Sequence, residues 1–439
     1  GGRAPRTYLL VVQNNAELRA TGGLIGNWGL LTAVDGKVSV GELFEPGAWN
    51  SGVLADPTAS RGAPADFEAL FPFRPLYSMQ DANLSPDFPT AARVLTNLAP
   101  SAGVPPLDGV IAVDPVGLAA LLELAGPVVV PGWPTQISAA TVVDVTLRDQ
   151  YARFEDQTAR SDFLGDVAKA VVDAATAGNL GRPARIAQVL GGAAHDGHLT
   201  LSFTRPAEQR LAEQLDVAGE VRPARSDTLG VYTQNGAQNK IDYYLERSID
   251  YRVRVEPTEG DRWARVDARL TVRLANTAPD SGLPRIVIGP NNPEFTAGLN
   301  RSLVSVYTGL RVGSIAVEGV EQPIRGGPDA GHTAYTLYVE IPAKSTRTVE
   351  LTLQGRVRLR RGGWYDLDLG HQPTVEPDRV QISVSGAPGW QVTGTRGLVP
   401  ILDDRAAAVL HPERARRFGV RLAPAAGALD LWSRLEHGT

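Results

Sequence analysis

Cysteine is missing from all 439 residues, which excludes disulfides, cysteine-ligated zinc or iron–sulfur centres and a thiol nucleophile. Lysine is scarce: of 43 basic residues only Lys37, Lys169, Lys240 and Lys344 are lysines. With abundant Ala, Gly and Pro, that bias fits a GC-rich genome. No apolar run reaches the roughly 20 residues of a membrane-spanning helix. The longest, Gly117–Val130, is interrupted by Glu123 and Pro127. No signal-peptide pattern opens the sequence. Positive charge is not in excess either. A net charge of −5 and a pI near 5.8 remove the electrostatic case for nucleic acid as the main partner, although a local basic pocket stays open. Walker, Rossmann and Gly-x-Ser-x-Gly motifs are absent, so there is no support for a nucleotide cradle or a serine-hydrolase elbow. What is present is 43% hydrophobic and 21% charged residues, enough to bury cores, in a length that suits two or three domains.

The first half alternates strand and helix signals. Thr7–Val12 reads as a buried strand, followed by a polar turn at Gln13-Asn14-Asn15. Leu30–Val34 and Lys37–Val40 flank Asp35-Gly36, a two-residue hairpin signal. Asp66–Leu70 is a short element closed by Pro72, and Gly109–Val113 is a second buried strand. Helices are expected at Thr90–Leu98, from the Asp114 cap through Ala125 to the Gly126 stop, and at Ala140–Tyr151, Asp162–Ala177 and Arg182–Leu190. This predicts an α/β domain over residues 1–205, with helices packed on a sheet. Residues 206–226 form a connecting helix, Pro206–Leu215, and a linker. From Leu229 onward short alternating segments take over: Tyr251–Val255, Ala264–Leu274, Leu303–Val306, Tyr335–Ile341, Thr346–Leu353 and Val380–Val384. They predict an antiparallel β-sandwich over 227–400, with 401–439 as a C-terminal tail whose end, Pro424–Thr439, carries one helical turn.

Two polar segments stand out. In Gln13–Trp28 three amides, Glu17 and Arg19 precede Gly22-Gly23. Glycines let a backbone approach a ligand, and an arginine fork suits phosphate; the alternative is a polar turn with a glycine bulge. Ser78–Pro89 holds Asp81, Asn83 and Asp87, residues that serve equally as turn and cap formers or as carboxylates on a metal or a sugar. Elsewhere the signals are thinner. His195 and His198 in HDGH are spaced for a metal but lack further ligands nearby. The basic run Arg356–Arg361 reads as solvated edge guards or as a contact to an anionic polymer. Trp28, Trp49, Trp133 and Trp364 read as core or platform residues, with Trp28 and Trp49 the candidates for sugar stacking.

The run RTYLLVVQNNAELRATGGLIGNWGLLTAVDGKV resembles the opening of the family called domain of unknown function 4012, common in actinobacteria. Ser78–Pro89, Leu107–Val128 and Gln238–Tyr251 resemble the same family. That family is distantly similar to the LytR–CpsA–Psr proteins, membrane-anchored phosphotransferases that move glycans from polyprenyl-pyrophosphate carriers to the cell wall. The resemblance implies a LytR–CpsA–Psr-like α/β fold in which Arg19 and Arg160, and more loosely Arg153, bind the pyrophosphate. It also implies a lipid groove around Leu118–Leu124. Where those transferases carry a metal-binding Asp two residues after the arginine, this sequence has Thr21, and their earlier acidic position falls among Gln13, Asn14 and Asn15. The usual magnesium carboxylates are therefore unmatched, and no metal ligand is assigned.

The candidate catalytic residues are Arg19, Asp81, Asp87 and Glu17. Asn14, Asn15, Gly22, Gly23, Trp28, Asn83, Arg153 and Arg160 are expected on the substrate. Three functions remain open: a transferase acting on polyprenyl-phosphate-linked glycans, a glycoside hydrolase or transglycosylase using paired carboxylates (Glu45 being a further one), and a non-catalytic glycan or lipid-carrier binding module. The expected partners are an envelope polysaccharide or lipid-linked glycan, and a membrane. Because the sequence begins Gly1-Gly2 rather than with Met, a hydrophobic anchor is expected ahead of it, with an extracytoplasmic location.

Overall fold

The computed structural model describes residues 4–56, 59, 62–71, 78–154, 156–178, 180–223, 226–258 and 262–425. Strand β1 (Arg6–Arg19) is longer than its apolar run. Leu9 and Val11 belong to the core on one face of the sheet and Leu10 and Val12 to the core on the other, so the strand reads as an unbroken hydrophobic stretch. Gln13, Asn14 and Asn15 do not form the expected turn. They remain in the strand, which pairs antiparallel with β2 (Gly22–Val34) through register shifts at Val12/Gln13 and Asn14/Leu18. Their side chains find buried partners in Thr21, Tyr151 and Asp114, so polarity does not break the strand, and the chain reverses at Ala20-Thr21. Strand β3 (Lys37–Phe44) returns across Asp35-Gly36, both residues at positive φ (49° and 78°) as the hairpin demands.

Helices α1 (Pro46–Ala55) and α2 (Ala65–Leu70), a 3₁₀ turn at Met79–Asp81, and α3 (Phe88–Leu98) follow. Then come β4 (Gly109–Val113) and α4 (Pro115–Ala125), capped by Asp114 and ended by Gly126 at φ 84°. The expected helix Ala140–Tyr151 is instead two short pieces, α5 (Val142–Asp144) and α6 (Gln150–Arg153), around a π-helical segment at Val145–Asp149. Helices α7 (Gln157–Ala177) and α8 (Pro183–His195), strand β5 (Leu199–Phe203) and α9 (Pro206–Gln214) complete this half. The sheet order is β3-β2-β1-β4-β5, with only β1 and β4 parallel. Trp49 and Val53 of α1 and the apolar side of α3 pack on one face. Leu118 and Leu122 of α4 pack with Phe163, Leu164 and Val167 of α7 on the other. The groove expected around Leu118–Leu124 is thus filled: Leu118 and Leu122 are closed core.

The second half is two stacked sheets. Its elements are β6 (Asp227–Asn235), β7 (Leu245–Pro257), β8 (Trp263–Asn276), the single turn α10 (Arg285–Ile288), β9 (Asn300–Thr308), β10 (Arg311–Val317), β11 (Val320–Glu321), β12 (Gly326–Asp329) and β13 (His332–Ile341). These are followed by β14 (Ser345–Arg358), β15 (Trp364–Leu369), β16 (Arg379–Gly386), β17 (Trp390–Arg396), β18 (Val399–Leu402), β19 (Arg405–Leu410) and β20 (Arg416–Pro424). One sheet runs β11-β10-β14-β8-β7-β16-β19-β18, the other β12-β13-β9-β6-β15-β20-β17. Alternation in β7 and β8 sends Tyr251, Val253, Val266 and Leu270 into the core between them and polar residues outward. Two features depart from expectation. The pairs β6/β15 and β7/β16 are parallel, so the sandwich is mixed. The stretch expected as a tail from residue 401 contributes β19 and β20, with Ala406, Phe418, Val420 and Leu422 in the core; residues 426–439 lie outside those described. Arg356 and Arg358 sit on β14 beyond the end of its pairing with β10, which stops at Gln354; there β14 is paired with β8 alone, and both arginines are exposed along a local edge.

The halves are joined through β1. Leu18 sits in the sandwich core, its amide donates to Asp242 Oδ2 at 2.8 Å, and Gln372 Nε2 donates to the Arg19 carbonyl at 2.8 Å.

Candidate functional site

The end of β1, the 3₁₀ turn at Met79–Asp81, the α6–α7 region and the loop after β6 converge on one cleft of about 510 Å³. Arg19, Arg160 and Lys240 supply its positive charge; Glu17, Asp81 and Glu45 supply its negative charge. Amides from Asn14, Asn50, Gln80, Gln150 and Gln238 fill the intervals, with Leu24, Leu164 and Ile286 as the apolar wall.

Arg19 is 9% exposed and is held by backbone carbonyls: Nη1 donates to Leu18 O (3.0 Å) and Asn235 O (3.3 Å), and Nε to Gln80 O (3.3 Å). Its Nη2 stands 4.0 Å from Asp81 Oδ1, beyond hydrogen-bond reach. Carbonyls fix the fork without neutralising it. Burial pushes the Asp81 carboxyl above its ordinary value, against the pull of Arg19. Glu17 is ion-paired with Lys240, which reaches in from the sandwich side. Burial works to lower the Lys240 ammonium, but Glu17 and Tyr151 outweigh it and the net shift is upward. Tyr151 receives a hydrogen bond from Asn14 Nδ2 at 2.7 Å, and burial raises its phenol. Two buried acceptors in the cleft lack a protein partner: Gln150 Oε1, on a residue 1% exposed, and Glu45 Oε1. Native proteins rarely leave such atoms unpaired unless a ligand or water meets them. Arg160 Nη1 donates to Phe154 O at 2.9 Å.

Of the residues expected here, Arg19, Glu17, Asn14, Asp81 and Arg160, with the further carboxylate Glu45, line the cleft, and the others do not. Asp87 caps α3, with Oδ2 accepting from Thr90 N (3.1 Å) and Thr90 Oγ1 (2.7 Å), while Oδ1 holds Val221 N at 3.0 Å. Its geometry is that of a cap, and its oxygens are committed. Asn83 donates to Thr21 Oγ1 and Gly23 O, both at 2.9 Å, and so fastens the β1–β2 turn. Asn15 points to the interface between the halves, donating to Asp114 Oδ2 (2.9 Å) and Pro373 O (3.2 Å). At Gly23 an added Cβ would lie 2.3 Å from the Asn14 backbone carbon, so that glycine serves a close strand crossing; Gly22, at φ 126°, serves the turn. Trp28 is buried, edge-on to Trp49 with centroids 5.2 Å apart, and therefore presents no sugar platform. Arg153 lies outside, over the Trp133 ring at 5.6 Å, with Nε donating to Gly132 O. His195 and His198 turn to separate partners, Leu215 O and Asp114.

Magnesium does not fit the donor set. Thr21 Oγ1, where the resemblance to LytR–CpsA–Psr proteins implied a metal-binding Asp, is occupied by Gln13 Nε2 (3.0 Å) and Asn83 Nδ2, and no group of three His, Asp or Glu side chains converges among the described residues. Sequence reasoning missed Lys240, Tyr151 and Gln150. Lys240 lies in the family-like run QNKIDYYLERSIDY, where a lone lysine in an arginine-rich chain was the available signal.

Residues 3–151 match the family model described as Protein of unknown function (DUF4012), as the opening motif implied. No curated protein matches. Among solved structures, a nutrient-binding protein (so described) of Legionella pneumophila is 9% identical with a TM-score of 0.29, over 45% of this chain and 72% of its own. The transcriptional regulator yvhJ of Bacillus subtilis is 11% identical with a TM-score of 0.27, over 52% and 85%. An M1 zinc metallopeptidase of Deinococcus radiodurans is 13% identical with a TM-score of 0.23, over 40% and 42%, so the chain spans less than half the length of that relative. Among the described residues no helix is long and apolar enough to cross a membrane.

Proposed function

We propose that the cleft binds the phosphate-bearing end of a lipid-linked glycan and that the α/β half works as a LytR–CpsA–Psr-like transferase outside the cytoplasm. The observation that carries this reading is the meeting of Arg19, Arg160 and Lys240, from three separate elements, in one amide-lined cleft. Arg19, buried and held by backbone carbonyls with its nearest carboxylate 4.0 Å away, keeps its charge available for an anion, while Lys240 enters the cleft already paired with Glu17. In the proposed step an acceptor hydroxyl oxygen attacks the phosphorus bonded to the glycan. The bond to the polyprenyl phosphate breaks, that phosphate leaves with the electron pair, and the hydroxyl proton passes to Asp81. Arg19 and Arg160 offset the charge that develops on the leaving phosphate. No metal is assigned to the step.

A second reading rests on the Asp81 carboxyl. A carboxyl raised by burial, in the same cleft as the ion-paired Glu17, suits acid and base roles on a glycosidic bond. Incubation with a phosphate-free envelope polysaccharide, with and without EDTA, separates the two. Metal-independent cleavage lost in Asp81→Asn would establish the second reading and end the first. An inert polysaccharide together with tight polyprenyl-pyrophosphate binding, weakened in Arg19→Lys and Arg160→Gln, is the outcome expected.

A further inference from the structure

The outward face of the eight-stranded sheet carries a second groove, distinct from the cleft in its elements and its chemistry. Here Arg252 on β7 stands opposite Arg269 on β8 and Ser383 on β16; Arg254 stands opposite Asp267 and Ser385, and Ser385 opposite Arg405. Thr352 and Gln354 of β14 extend the same two rows. These side chains line a concave groove of about 860 Å³, continuous through Arg252, Arg269 and Gln381 with a further 330 Å³ that adds Arg273 and Arg379. Like charges directly opposite on neighbouring strands are destabilising, yet Arg252 and Arg269 face each other. Among the described residues Arg254, Arg269, Arg273, Arg379 and Arg405 make no ion pair, while Asp250 is taken by Arg252 at 2.6 Å and Asp267 by Arg265 at 3.4 Å. Glu350 is a further carboxylate on the lining, against five unpaired arginines, so a chain of net charge −5 concentrates an excess of cations on one concave face.

The geometry points to an acidic polysaccharide lying in this groove, its carboxylates or phosphates on the arginines and its hydroxyls on Ser383, Gln381 and Thr352. No aromatic side chain lines either part of the groove, so nucleic-acid bases have nothing to stack on. Its concavity admits a linear chain and not a planar bilayer. Across the sheet Arg252 and Arg269 are one strand apart, about 5 Å, while Arg254 and Arg405, like Arg273 and Arg379, are two strands apart, about 10 Å, spacings that a polymer with repeated charges can follow.

The test is affinity electrophoresis of the whole protein through gels containing polygalacturonate, with dextran as the neutral control. Arg252→Ser/Arg254→Ser/Arg269→Ser, all at outward positions, should weaken retardation at least tenfold without changing the melting curve. Should that variant melt early, Arg269→Glu alone carries the same expectation. Arg416→Ser/Arg421→Ser, which removes two positive charges from the other sheet, and Arg19→Lys in the cleft should both bind as the unaltered protein does. Undiminished binding by the groove variants, an equal loss in Arg416→Ser/Arg421→Ser, equal retardation by dextran, or tighter binding of phosphatidylglycerol vesicles or a dT20 oligonucleotide would each overturn the inference.

Discussion

Arg247 in the sandwich and Arg19 in the cleft are withdrawn from solvent to a similar degree, 6% and 9% exposed. Their surroundings differ in kind. Arg247 gives Nε and Nη2 to the two oxygens of Asp378 at 2.7 and 2.8 Å, and Nη1 to Thr233 and Gln372. Every edge of that guanidinium is used and its charge is cancelled by a buried carboxylate, which makes it a strut. Arg19 meets three carbonyls, and its nearest carboxylate stands 4.0 Å away. Residue type and burial do not tell a structural arginine from a ligand-binding one. The charge of the partners does.

The largest effect that would break this contrast is in the sandwich. Arg247→Ala leaves Asp378 buried and unpaired and should cost about 3–5 kcal/mol in urea unfolding, with no specific effect on the cleft beyond the lost fold. A cost under about 1 kcal/mol would mean that the pair is not the strut described here. In the cleft, Arg19→Lys should leave unfolding nearly unchanged but weaken polyprenyl-pyrophosphate binding by about 1.5–3 kcal/mol, roughly ten- to a hundredfold, measured by titration calorimetry. Equal affinity would place the phosphate elsewhere. Asp87→Ala, which removes a cap and not a cleft residue, should cost about 1 kcal/mol of stability and leave binding intact. Loss of turnover in a folded Asp87→Ala protein would return Asp87 to the site.

The smallest expected effect is a pH dependence. Burial, opposed by hydrogen bonds from Tyr365 and Tyr251, pushes the Asp227 carboxyl up to about 6, against about 3.9 for an unfolded Asp. The folded state then keeps a proton that the unfolded chain has released, so this contribution is full below about pH 4 and declines as pH rises to 6. Between pH 7 and pH 5 it amounts to roughly 1 kcal/mol of added stability on acidification. Melting curves of Asp227→Asn should be flatter over that window; an unchanged slope would show that the proton is held elsewhere.

Much of the fold was legible because its signals are local. Asp114 and Gly126 bracket α4, Asp35-Gly36 makes its hairpin, and alternation marks β7 and β8. Three amides in a row misled the reading of β1, because the partners of Asn14 and Asn15, Tyr151 and Asp114, lie 137 and 99 residues away and are supplied only by packing. The tail was missed for a related reason: Arg405–Leu410 is alanine-rich and finds its place by pairing with β16. For the site, the charged residues of β1 and Asp81 announced themselves by density. Lys240 did not, since a single lysine acquires meaning only when Glu17 is brought to it from 223 positions away.

The sharing of β1 between the two halves bears on how such a protein can be inherited. Its first residues are sheet in one half and Leu18 is core in the other, while the cleft draws Arg19 from one half and Lys240 from the other. A recombination that exchanged residues 227–425 as a cassette would remove the lysine and reopen the socket that receives Leu18. The halves are therefore bound to travel together through descent, and a change in one has to be answered within the same reading frame by the other.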